Sequence, residues 1–373
     1  MTTSQPNGSN LPRTVLGQTG MEISKLGFGG IPIQMVSEDE AVAVIRACVA
    51  AGINFFDTAR TYTNSEVRVG RALEGVRDKV FVATKSVSRE RAKVESDLAT
   101  SLGNLRTDYL DLYQFHNVAT EDALEAIFVP GGPVDFVKEQ KARGVVRHIG
   151  ITSHSPEIAL KAIKTGEFET IQFPFNYIER QADELHAEAR RRGMGIIVMK
   201  PLAGGGLGDS AELARASVKW CASQDVSVII PGVKSLEEVR ANVDAVLSGA
   251  PTADELALLE RTKQELGPVF CRRCGYCAPC PNDIPVNWLS SAEFWFKRAG
   301  WLRMDESHIK NFLAGLECQA CGTCESRCPY SLPLTRLIPQ YSKKLLLRAV
   351  ELGKISREEA VAAIVAAGRQ DED

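Results

Sequence analysis

The sequence predicts an α/β protein: a (β/α)8 TIM barrel followed by a small cysteine-rich domain and a C-terminal helical tail. Three observations predict it. Short apolar runs alternate with amphipathic helical patterns eight times in about 250 residues, the number and length of an eight-fold parallel barrel. Eight of the ten cysteines fall between Cys271 and Cys328. Two helical runs then close the chain. Over the whole chain 44% of residues are hydrophobic and 24% are charged, which excludes a disordered or collagen-like chain.

Arg13 to Leu16 and Met21 to Ser24 flank Gly17-Gln18-Thr19-Gly20, the pattern of a hairpin. Strands are expected at 25–29, 54–57, 80–85, 109–115, 146–151, 170–173, 195–199 and 226–230. Between them, 38–51 places Ala41, Val44, Ile45 and Cys48 at helical spacing. Similar patterns run over 65–73, 91–102, 123–143, 156–164, 182–192, 211–222 and 236–247. Gly52, Gly103, Gly144, Gly166 and Gly193 stand where helix C-caps belong. A doubly wound open sheet is the alternative with the same alternation. A further helix over 253–266 ends at Gly267-Pro268, and the closing helices run over 343–352 and 356–367, separated by Gly353. The expected domains are a barrel over 13–250, a helical linker over 251–269, a cysteine-rich domain over 270–335 and a helical tail over 336–373, ending in acidic Asp371-Glu372-Asp373.

The formal net charge is −3, so no global positive field exists to hold nucleic acid or an anionic membrane. Met1 to Asn10 is polar and lacks the basic start and apolar core of a secretory signal. Apolar runs such as Val226 to Pro231 are too short to span a bilayer. A cytoplasmic, reducing setting is expected, where clustered cysteines more often bind metal or do redox work than form disulfides.

In a parallel barrel the chemistry sits at the C-terminal ends of the strands. Ionisable residues stand where the apolar runs stop: Asp57 with Tyr62 after the second strand, Lys85 at the end of the third, and His116 after the fourth. Each alone reads as a cap, a turn or packing. Together they make chemical sense. A free tyrosine is a poor acid at neutral pH. A nearby lysine ammonium favours the tyrosinate, an aspartate holds the lysine, and a histidine can hydrogen-bond a carbonyl oxygen.

With these residues in view, 13–248 resembles the aldo-keto reductase family. Asp57-Thr58-Ala59-x-x-Tyr62 with Ser65-Glu66, Thr84-Lys85 and Phe115-His116 are similar to that family's motifs. The resemblance implies that Tyr62 is the proton donor, that Asp57 and Lys85 tune it, and that His116 orients the substrate. It implies NADPH without a Rossmann fold, and neither Gly27-Phe28-Gly29-Gly30 nor Gly204-Gly205-Gly206-Leu207-Gly208 completes a G-x-G-x-x-G. Ser153 stands where the family holds the carboxamide, and Gln172, at the end of the sixth strand, is a further cofactor candidate. Pro201-Leu202-Ala203-Gly204 resembles its pyrophosphate loop, so Leu202 and Gly204 are cofactor candidates. Ile230 to Ser235, with Arg240 and Asn242, resembles its adenosine-phosphate segment. Lys234 and Ser235 at a helix start are physically apt for a 2′-phosphate. Two residues depart from the family: His154 follows Ser153 in place of asparagine, and Met199 replaces an aromatic residue that stacks on nicotinamide.

The cysteines form two runs, Cys271-x2-Cys274-x2-Cys277-x2-Cys280-Pro281 and Cys318-x2-Cys321-x2-Cys324-x3-Cys328-Pro329. The second has the spacing of bacterial ferredoxins, and the first is one residue short before its last cysteine. Four-cysteine zinc sites usually come as two separated C-x2-C pairs. Two [4Fe–4S] clusters are therefore expected, with a single cluster or zinc as the alternatives. By the ferredoxin resemblance Cys271, Cys274, Cys277 and Cys328 hold one cluster and Cys280, Cys318, Cys321 and Cys324 the other. Barrel and tail together resemble the iron–sulfur branch of bacterial aldo-keto reductases. The expected function is NADPH-dependent reduction of an aldehyde or ketone, with clusters for stability or for electron exchange with an external partner. The alternative is an electron-transfer or redox-sensing protein whose barrel binds nucleotide with little turnover.

Overall fold

A computed structural model describes residues 11–207, 210–267, 269–272 and 274–368. The polar start, the acidic end, Gly208 and Pro268 lie outside them. The chain forms two compact units. One comprises the residues up to 203 and 210–260; the other comprises the chain from 261 onward with the segment that begins at Gly204.

In the first unit β1 (Arg13–Val15) and β2 (Glu22–Ser24) pair antiparallel, as the hairpin pattern predicts. Leu16, Met21 and Ile23 are buried with Phe55, Leu112, Ile197 and Val228, so the hairpin plugs the end of the barrel where the strands begin. Eight parallel strands follow. They are β3 (Phe28–Gly29), β4 (Phe55–Asp57), β5 (Phe81–Ser86), β6 (Leu110–Phe115), β7 (Val146–Thr152), β8 (Thr170–Pro174), β9 (Gly195–Met199) and β10 (Val228–Ile230). They pair in sequence order. Bridges from Leu26 to Ile229 and from Gly29 to Gly232 bring the first strand back against the last. This excludes the doubly wound sheet, whose strand order reverses at a switch point. Helices cover the outer face, so the strands read as continuous apolar runs instead of alternating ones.

The barrel seam explains the first glycine run. A Cβ on Gly29 would lie 2.7 Å from the Ile230 carbonyl oxygen, and one on Gly30 would lie 2.7 Å from that of Asp57. These glycines permit close backbone approach within the barrel itself.

The surrounding helices are α1 (Glu38–Ala50), α2 (Ser65–Ala72), α3 (Arg91–Leu105), α4 (Glu121–Ile127), α5 (Pro133–Ala142), α6 (Pro156–Thr165), α7 (Asp183–Arg191), α8 (Ala211–Ala222) and α9 (Leu236–Leu247). Two differ from the periodicity. The single helix expected over 123–143 is two, because Gly131 turns left-handed (φ +70°) and Pro133 opens a new helix at its first position. Helix α3 also runs through Gly103 to buried Leu105, and Arg106 takes the left-handed cap instead.

The helix α10 (Ala253–Leu266) contains the division between the units. Then come α11 (Val286–Leu289), α12 (Ala292–Ala299), α13 (Glu306–Leu316), α14 (Thr323–Ser326), α15 (Leu334–Glu351) and α16 (Arg357–Gly368). The described residues of this unit contain helices and turns and no strand. Phe296, Phe312, Ile338 and Leu346 centre its core, and buried Cys277 and Cys324 join it. Helix α15 starts at Leu334 instead of Lys343 and accommodates Pro339 inside it, with Leu337, Ile338 and Leu345 buried. No helix of the described residues is long and apolar enough to cross a membrane.

Candidate active site and cysteine centre

Neighbouring parallel strands put the four predicted catalytic residues on one rim. Asp57 ends β4, Lys85 lies near the end of β5, His116 follows β6, and Tyr62 sits in the turn before α2. Lys85 Nζ donates to Asp57 Oδ2 at 2.6 Å and to the Thr58 carbonyl at 2.8 Å. Both side chains are buried. Nζ lies 5.1 Å from the centroid of the Tyr62 ring. The Tyr62 and His116 rings meet edge-on, 5.8 Å between centroids. Burial pushes the Asp57 carboxyl above its ordinary range, opposed by the charge of Lys85 and by hydrogen bonds from Lys85, Gln172 and Gln114. Burial likewise lowers the Lys85 ammonium, and Asp57 opposes this.

His116 is held uncharged. Burial, then the charges of Lys85 and Arg89, keep its pKa well below the usual imidazole value. Its Nδ1 is buried with no hydrogen-bond partner. A buried lone pair is left unpaired more readily than a buried N–H. The proton is therefore assigned to Nε2, the nitrogen left to donate outward.

Three further residues that sequence reasoning did not assign belong to this rim. Gln114 Nε2 donates to Asp57 Oδ1 at 3.2 Å and to Gln172 Oε1 at 2.9 Å, joining two predicted site residues. Its signal was a polar side chain inside a fully buried strand. Glu66 is buried and accepts from Thr84 at 2.7 Å, Ser101 at 2.6 Å, Asn104 at 3.0 Å and Arg60 at 3.0 Å, tying α2 and α3 to β5. His154 is buried and held well below the usual imidazole value by burial, then by the charge of Lys200 and by competition with the neighbouring His116 for a proton. It therefore stands near both.

The predicted cofactor residues fall into separate groups. Ser153, just after β7, is buried, and its hydroxyl accepts from Ser155 N at 3.1 Å. Gln172, in β8, lies 3.9 Å from Met199 Sδ. Leu202 is half-buried, and Gly204 (φ +66°) belongs to the second unit. The rest gather at the start of α9. Ser235 caps that helix by accepting from Glu238 N at 3.1 Å, and Lys234 N donates to the Glu238 carboxylate at 2.7 Å. The Lys234 and Arg240 side chains are exposed, and Asn242 is buried. Neither Lys234 nor Arg240 forms an ion pair among the described residues.

In the second unit the cysteines draw together across the sequence. Burial, then Cys271, Cys274 and Cys328, raise the Cys277 thiol to about 12. Cys324 is raised by burial and by Cys318. Arg327 donates to the Pro279 carbonyl at 2.8 Å, which brings the second run beside the end of the first. No group of three potential ligands among the described residues converges on a single ion position. A cubane does not require one, because each thiolate binds its own iron.

Comparison with known proteins agrees with this division. Residues 25–215 match the model of the aldo/keto reductase family, and 270–333 match a 4Fe-4S dicluster domain. The chain belongs to the aldo/keto reductase family of oxidoreductases and carries a 4Fe-4S dicluster domain at its C-terminal side. An uncharacterized oxidoreductase of Bacillus subtilis, YqkF, is 25% identical over 67% of this chain and 96% of its own length. The L-galactose dehydrogenase of Arabidopsis thaliana is 29% identical over 62% of this chain and 86% of its own. The holo form of aldo-keto reductase AKR11C1 from Bacillus halodurans superposes with a TM-score of 0.57 at 25% identity, covering 68% of this chain and 96% of that one.

Proposed function

We propose that the barrel reduces an aldehyde or ketone with NADPH, Tyr62 giving the proton to the carbonyl oxygen. The observation that carries this reading is the buried Asp57–Lys85 ion pair whose ammonium lies 5.1 Å from the Tyr62 ring. A cation beside a phenol stabilises the phenolate that proton transfer leaves behind. Asp57 fixes that cation in place. His116, uncharged, donates from Nε2 to the same oxygen as negative charge develops there.

The residues present fit the dinucleotide. Exposed Lys234 and Arg240 offer cations at the start of α9, where a helix terminus favours an anion. Buried Ser153 and Gln172 offer hydrogen-bonding groups at the ends of β7 and β8. Leu202 lies in the loop after β9, and Asn242 lies buried in α9. Met199 offers a thioether for packing on a ring. When bound, the nicotinamide supplies the hydride. That one relative is a dehydrogenase supports oxidoreduction of this kind.

The crowding of Cys277 by Cys271, Cys274 and Cys328 supports a first [4Fe–4S] cluster on those four thiolates. Cys280, Cys318, Cys321 and Cys324 would hold the second. Thiols that are buried together and repel one another's charge are suited to a multivalent iron centre. Small carbonyl compounds are the substrates, and an outside electron partner meets the clusters.

His154 and Met199 favour a second reading, a nucleotide-binding redox protein with little turnover. One assay separates the two. Anaerobically purified protein is given NADPH and a panel of aldehydes and ketones. Oxidation of NADPH that depends on the carbonyl supports the reductase; none across the panel supports the second reading.

A further inference from the structure

The turn that carries His116 is held more firmly than a loop residue needs. His116 N donates to the Ser86 carbonyl at 2.8 Å, and Val118 N donates to the Thr152 carbonyl at 2.9 Å. Asn117 between them takes a left-handed conformation (φ +53°), and its N–H donates to Thr152 Oγ1 at 2.8 Å. That leaves two successive carbonyl oxygens, those of His116 and Asn117. Both accept from one atom: Arg89 Nη2 donates to them at 2.7 and 3.0 Å. Nη1 of the same guanidinium donates to the Ser88 carbonyl at 3.2 Å, which ties the fork to the loop after β5.

Building on the reading of His116 as a substrate ligand, we propose that Arg89 is the positioning residue for His116. Its guanidinium anchors the His116–Asn117 turn and sets a permanent positive charge beside the imidazole. Two physical effects follow. A planar fork with several donors fixes geometry in a way a point charge does not. A fixed cation also disfavours a second cation nearby, so the ring stays neutral and keeps its donor role. The charged and titratable groups facing the ring are Lys85 from β5, Arg89 from the loop after it, Tyr62 from the turn before α2, and His154 from the end of β7. Lys85 is paired to Asp57, and the Arg89 fork is bonded to the carbonyls of the turn itself.

The test uses the cluster-loaded full chain. Imidazole resonances are titrated by NMR in the parent, Arg89→Gln and Arg89→Lys, with His116→Gln to assign the ring. Turnover with NADPH and a reducible carbonyl is measured alongside. Arg89→Gln should raise the pH at which His116 titrates by about half a unit or more. It should lower kcat by about ten- to a hundredfold through misplacement of the ring, with KM for NADPH little changed. Arg89→Lys should keep the titration near the parent's and still lose rate, because the charge remains and the fork does not. An unchanged His116 titration in Arg89→Gln overturns the proposal, and so does a kcat equal to the parent's. Should Arg89→Gln not fold, a parental kcat in Arg89→Lys overturns it. If His116→Gln turns over like the parent, the reading of His116 itself falls, and the NMR titration still decides whether Arg89 governs the ring.

Discussion

A phenol is a weak acid near neutral pH, so Tyr62 needs its surroundings to act as one. Those surroundings are a lysine and an aspartate, each costly to bury alone; paired at 2.6 Å, each offsets part of the other's penalty. On this reading Tyr62→Phe removes only the proton. Its kcat should fall about 10²- to 10⁴-fold while NADPH binding, followed by fluorescence titration, stays at the parent's level. Away from the site, Glu169 makes a pH prediction about stability. Burial raises its carboxyl, but bonds from His148, Lys141 and the Ile149 N–H more than reverse this and hold it at about 2, against an ordinary 4.5. A depressed carboxyl stabilises the fold above its unfolded value and loses that contribution as pH falls through the folded one. Glu169→Gln should therefore lower the melting temperature near neutral pH. The gap to the parent should close as pH drops from 4.5 toward about 2.

At the scale of elements, the start of α9 concentrates the cofactor candidates. Lys234 and Arg240 are exposed cations there, while Glu238 already engages the Lys234 N–H. A charge-assisted contact is worth roughly 1.5–3 kcal/mol, or about 10- to 150-fold in binding. Lys234→Ala should erase most of the preference for NADPH over NADH in paired titrations; unchanged discrimination would place the 2′-phosphate elsewhere. Element boundaries also show where local signals run out. Gly103 reads as a helix end, yet buried Leu105 carries α3 past it. Pro339 lies inside α15 because burial along that helix outweighs one missing backbone donor.

For the whole molecule the question is how a two-electron barrel and one-electron clusters share a chain. Hydride transfer moves two electrons at once, and a [4Fe–4S] centre moves one, so a converter such as a flavin is normally needed between them. The sequence contains no recognisable flavin site. The clusters should then lie off the path from NADPH to the carbonyl. Anaerobic protein should contain about eight irons and eight sulfides per chain, with Cys274→Ala and Cys321→Ala each removing one cluster. Zinc without acid-labile sulfide would reject the iron–sulfur assignment. In single-turnover experiments with deuterated NADPH, the Cys274→Ala/Cys321→Ala double variant should transfer label at close to the parent's rate while its barrel stays folded. Reduction of the clusters by NADPH at the turnover rate would put them on the path after all.

The eight strand segments, the hairpin before them and the division into barrel and cysteine-rich module were all legible in the sequence. So was the placing of Asp57, Lys85 and His116 at strand ends. Periodicity, turn residues and ligand spacing act between near neighbours in the chain, and the parallel topology then puts strand ends on one rim. Barrel closure against an open sheet was decided in three dimensions, by the bridges from Leu26 and Gly29 to the far end of the barrel sequence. The same holds for Gln114 between Asp57 and Gln172, for Arg89 beneath the His116 turn, and for Cys328 beside Cys277. Each of these depends on residues far apart in the chain, and only the packed fold brings such residues within hydrogen-bonding or electrostatic reach.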